Sequence, residues 1–169
     1  MSEAESPPNP FWDYALALYA APGVEQACIG LQDRRGADVN LLLFCCWAGH
    51  RGQFLSAAEL DRLLAASQAW QAQVVGPLRQ VRRDLKQGDW ASPAVAALRE
   101  EIKALERQAE RIEQDRLLVC VPLGAGALSE DAIAANLALY IDRLSGPIED
   151  ADQAALACLR ASAAGREAQ

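Results

Sequence analysis

A chain of 169 residues, 51% hydrophobic and 23% charged, is long enough to bury a core and has the balance of a water-soluble globular protein. Its net charge of −7 argues against nucleic acid or an anionic membrane as partner, and its single histidine leaves few parts for acid–base catalysis. No apolar run approaches the ~18–20 residues that cross a bilayer, and the acidic, proline-containing N-terminus lacks the apolar core of a signal peptide. A cytoplasmic location is the expectation.

Residues 1–10 read as a disordered tail, polar and without periodicity. A short helix is predicted from Phe11 to Tyr19, and a second runs from Pro22-Gly23 to Arg35 with Gly36 as its left-handed cap. Asp38 can then cap a helix ending near Gly49, whose stretch Leu41–Trp47 is apolar all round. Such a helix has no face for water and belongs at the centre of a core. Ser56-Ala57-Ala58-Glu59 marks the next helix start. Its apolar seam, from Leu60 to Leu85, is interrupted at Gly76-Pro77, where a kink is expected. Ser92-Pro93 opens a long helix in which Val95, Leu98, Ile102, Leu105, Ala109 and Ile112 keep heptad spacing. The two long segments should form an antiparallel hairpin. Leu117–Val121 reads as a helix end rather than a strand. Two further helices follow, one opened by Ser129-Glu130-Asp131 and one spanning about Glu149 to Ala163, with a frayed tail over 164–169. The fold class is all-α: one helical domain over 11–163, a bundle of six to seven helices.

The five cysteines, Cys28, Cys45, Cys46, Cys120 and Cys158, are odd in number, lack CxxC spacing and sit in apolar company. They read as buried free thiols.

Several side-chain sets were weighed for chemistry. Cys46 and His50, four residues apart, share a helix face and form the minimum for a metal half-site or a thiol–imidazole pair. No second ligand pair has suitable spacing, and burial raises a thiol pKa, so packing is the better reading. Asp38 and Asn40 are pocket candidates beside them, though helix capping accounts for both. Arg79, Arg82, Arg83 and Lys86, near Trp90, form a basic stripe suited to an acidic protein partner; its alternative is pairing with Glu106 and Glu110 on the facing helix. Glu106, Glu110 and Glu113 lie outside the heptad seam and are expected in solvent. The residues 70–116 carry nine basic and eight acidic groups, so any electropositive surface comes from there. No Walker loop, GxSxG, GxGxxG or HExxH is present. No catalytic residue, metal or cofactor is assigned.

The stretch Phe11-Trp12, Tyr19, Pro22-Gly23-Val24, Cys28, Leu31-Gln32, Gly36, Asp38-Val39-Asn40-Leu41-Leu42-Leu43 and Trp47, followed by Val75, Pro77-Leu78-Arg79 and Arg82, resembles a family of short proteobacterial proteins. That family is catalogued as a domain of unknown function. The resemblance covers about residues 10–120 and implies a bacterial cytoplasmic origin and no particular activity. A small helical interaction or regulatory module is the leading expectation. A ligand-binding protein or enzyme with a pocket beside the Asp38–His50 helix is the alternative.

Overall fold

The computed structural model describes residues 9–165. Residues 1–8 and 166–169, most of the two expected tails, lie outside the described residues. Eight α-helices occur among the described residues, and no strand: α1 Pro10–Tyr19, α2 Val24–Arg35, α3 Val39–His50, α4 Ala57–Trp70, α5 Gly76–Gln87, α6 Pro93–Cys120, α7 Glu130–Ile141 and α8 Asp150–Ala164. They form two compact units, one built from the chain up to Ala57 and from Leu123 onward, the other from Ala58–Pro122.

The first unit is organised by α3. Every residue from Asn40 to His50 is buried, as an all-apolar helix requires. Its neighbours are α7, which it meets most extensively, α1, α8 and α2. Phe11, Tyr14 and Leu18 of α1 point inward, as do Ile133, Leu137, Tyr140 and Ile141 of α7. Local signals set the ends. Asn9 accepts from Trp12 N at 2.9 Å and Pro10 opens α1, so the helix begins inside the stretch expected to be tail. Gly36 caps α2 at φ 67°, and Asp38 Oδ1 accepts from Asn40 N at 2.8 Å to start α3.

Helices α2 and α8 are joined through Asp152. This side chain is buried, closes a capping box with Glu149, and accepts from Arg34 Nε at 2.8 Å. The Arg34 hydrogen bond holds its carboxyl below the usual range against the opposing effect of burial.

The second unit holds α4, α5 and α6. Between α4 and α5 the residues Gln71–Val75 form a π-turn, closed by Gly76 N–H to Gln71 O. Pro77 follows and has no N–H to donate, so the expected kink is realised as a widened turn. A side chain at Gly76 would place its Cβ 2.8 Å from Gln71 O, which only glycine avoids. α5 and α6 then pack as the expected antiparallel hairpin, with Ser92 accepting from Val95 N to start α6.

The α3–α7 contact depends on one close approach. A Cβ on Gly49 would lie 2.5 Å from both the backbone N and the Cγ1 of Ile133. Gly49→Ala is expected to destabilise the protein by about 2–3 kcal/mol through overpacking, read as a lower urea midpoint.

Candidate functional site

The chemistry-bearing residues of the first unit are divided between the two ends of α3. Asp38 and Asn40 stand at its start, where Asp38 caps the helix and its N–H donates to the Tyr140 hydroxyl at 2.7 Å. Cys46 and His50 lie toward the far end, and twelve residues of helix separate Asp38 from His50 by about 18 Å. One pocket holding all four is not formed.

His50 sits in an aromatic ladder. Its ring stacks on Trp47 with centroids 5.7 Å apart and meets Tyr14 at 4.9 Å. Trp47 in turn meets Tyr14 and Phe11, Phe11 meets Phe44 edge-on, and the Arg51 guanidinium lies 5.3 Å over the Trp47 ring. This arrangement locks the end of α3 by aromatic and cation–π packing.

Cys45 and Cys46 are buried in α3, and burial pushes the Cys45 thiol up to about 12 and Cys46 well above its ordinary value. Cys28 is raised to about 12, first by burial and then by its neighbour Cys158. Thiols held protonated in this way are poor nucleophiles and poor metal ligands. No group of three or more His, Cys, Asp or Glu poised for a metal occurs among the described residues. Ellman's reagent is expected to leave Cys45 and Cys46 unlabelled in the native protein and to reach them only at the rate of unfolding in urea.

The second unit has a polar interior that the heptad pattern did not announce. Glu106 and Glu113, expected in solvent, are buried. Glu113 accepts from Ser67 Oγ and from Gln71 Nε2, both at 2.7 Å. Beside it the Trp70 indole donates to Ala109 O at 2.9 Å, and the Arg116 guanidinium lies 5.5 Å over the Trp70 ring. The widened turn therefore carries Gln71 at the point where α6 presents a carboxyl.

Farther along the hairpin, Arg79 donates from Nε to Glu106 at 2.9 Å and from a terminal nitrogen to Glu110 at 3.1 Å. Arg82 Nε reaches the other Glu106 oxygen at 2.5 Å. Glu106 is thus held between two guanidiniums. Burial works to raise its carboxyl, but the hydrogen bonds and charges of Arg82 and Arg79 outweigh this and hold it below the usual value.

The five residues of the basic stripe consequently separate into two groups. Arg79 and Arg82 are half-buried and paired with α6, whereas Arg83, Lys86 and Trp90 are exposed. Arg83 and Lys86 enter no ion pair among the described residues.

A different feature is left facing solvent. Leu98, Leu105, Ile112 and Val119 of α6 are 46%, 50%, 42% and 81% exposed, at an unbroken spacing of seven. The companion heptad positions, Ile102 and Ala109, are buried. The signal for this outward row was in the sequence. Glu106 and Glu113 also stand seven apart, and two buried carboxyls turn α6 so that alternate seam residues point outward. On α5, Val81 is 47% exposed, with Leu78 and Leu85 half-buried on either side. Helical spacing puts both apolar rows on the same side of the hairpin, about a quarter turn from the arginine–glutamate pairs.

A pH dependence follows from Glu106. Its folded carboxyl titrates below the unfolded value of about 4.3, so its stabilisation is present above that pH and is lost as pH falls through the folded pKa. Glu106→Gln is expected to cost about 2 kcal/mol at pH 7, with the deficit narrowing below about pH 4, as read by urea unfolding.

No helix among the described residues is long and apolar enough to cross a membrane. The model of a family described as a protein of unknown function (DUF2390) matches residues 10–117. No curated protein and no solved structure matched the chain.

Proposed function

The chain belongs to the DUF2390 family, and we propose that it works as a helical protein-interaction module whose contact surface is the α5–α6 hairpin. The observation that carries this reading is the solvent-facing row Leu98, Leu105, Ile112 and Val119. Contiguous exposed apolar rows of this size are uncommon on proteins that act alone and mark contact surfaces. The exposed Arg83, Lys86 and Trp90 at the distal part of the hairpin supply a polar, partly aromatic rim of the kind interfaces use, and favour acidic groups on the partner there. Arg79 and Arg82 contribute by bracing the hairpin against α6 rather than by offering free charge.

The reading is tested with a photo-crosslinking amino acid placed at position 105 in the native host, with exposed position 25 as the control. A protein adduct is expected from 105 and not from 25. It should fall at least about tenfold when Ile112 is replaced by lysine, while the far-ultraviolet circular dichroism stays unchanged, since exposed substitutions contribute little to stability. Equal adducts from both positions, or none from 105, would remove the support for this surface.

A further inference from the structure

We propose that the open face of the α5–α6 hairpin is covered by a second copy of this chain, the two hairpins closing into a four-helix bundle. The inference rests on the hairpin being a contact surface and goes on to name what occupies it.

The seven-residue period comes first. Apolar side chains repeated at that interval stay in line only along another helix crossing at a shallow angle, because a straight helix drifts by about 20° per heptad. The occupant is therefore helical and runs beside α6 for the three heptads from Leu98 to Val119.

The second argument is the width of the face. The row on α6 is flanked on the same side by Leu78, Val81 and Leu85 of α5, so two helices, not one, present apolar surface. A single partner helix could lie in the groove between them and cover only the inner edges. A two-helix layer covers both rows, which is how four-helix bundles bury a core. The chain already contains such a layer, and a two-fold axis over the hairpin brings an identical one against it.

Charge is the third. The unit Ala58–Pro122 carries ten basic and ten acidic residues, so the net −7 of the chain belongs to the rest of it. Two copies approaching through this unit meet no net repulsion, and a surface without net charge favours association.

Area is the fourth. Leu98, Leu105, Ile112, Val119 and Val81 expose between 42% and 81% of their surface. Covering them on two copies removes on the order of 1,000 Å² from water before any neighbouring atoms are counted, which reaches the size of a specific interface.

The test uses the full chain in sedimentation equilibrium from about 1 to 100 µM, a span that brackets ordinary dimer affinities. The expected mass is twice the 18.2 kDa of the chain, and the Leu105→Lys/Ile112→Lys double variant should sediment as a monomer with unchanged helicity. Val81→Lys, on the other helix, should weaken the dimer at least about tenfold, because both rows are covered. A helix-only occupant would leave that variant unaffected. A wild-type chain that is monomeric throughout overturns the second copy. If position 105 then crosslinks to a different protein, the contact surface stands and its occupant is not a copy of the chain; if it crosslinks to nothing, both readings fail together. A dimer that survives the double lysine variant places the interface elsewhere and also overturns the proposal. Should the double variant lose helicity, Val81→Lys alone decides between the outcomes.

Discussion

A helix with no polar side must be surrounded, and that requirement organises the first unit. From Asn40 to His50, α3 leaves no residue exposed, and four helices are needed to cover it. The covering helices are correspondingly two-sided: Leu18 of α1 is buried while Leu16 is exposed, and Ile133 and Leu137 of α7 face inward behind a first turn of Glu130 and Asp131. Two contacts hold this wrap in register. Gly49 lets the backbone of α7 approach α3, and buried Asp152 fastens the start of α8 to the end of α2 through Arg34. Burial of this kind also accounts for the cysteines. In so apolar a setting a thiol is a small hydrophobe held in its neutral form.

The second unit is stabilised by a different balance. Its buried face on α6 includes Glu106 and Glu113 beside Ile102, Ala109 and Leu117. Buried carboxyls are tolerated where hydrogen bonds and charges replace the lost water, and each of these has partners from the facing helices. The same substitution has a consequence on the outside. Surface that a leucine seam would have hidden is occupied by polar pairs, so the leucines stand in solvent. Polar interior and apolar exterior on α6 are two results of one rotation of the helix.

Much of this was legible beforehand. Pro10, Gly36, Asp38, Ser92-Pro93 and Ser129 each lie at a helix boundary for the reason their chemistry suggests, and the uniform apolarity of Leu41–Trp47 fixed α3 as the centre of a core. The hairpin followed from two long periodic segments and a short turn. What failed was the reading of α6 by hydrophobicity alone. Heptad spacing names two rows of apolar residues but not which row is covered, and charged residues were assigned to solvent because isolated charges prefer it. Arg79 and Arg82 reverse that preference for Glu106, a three-residue cluster that no single helix displays. Position along the helix also decided against a joint pocket: Asp38 and His50 are close in sequence, yet an α-helix carries them to opposite ends.

The π-turn at Gln71–Val75 acts as a phase-setting device. An α-helix advances 100° per residue, so lengthening one turn by a residue rotates everything downstream by about that angle relative to what came before. Ser67 and Gln71 address Glu113 from one side of the turn, and Arg79 and Arg82 address Glu106 from the other. Both sets are in phase with α6 only for this spacing. Deleting one residue between 71 and 75 would permit an uninterrupted α-helix and swing the arginines off their carboxyl by more than a quarter turn, with every side chain still present. The length of this segment is therefore an instruction in its own right, separate from the letters that fill it.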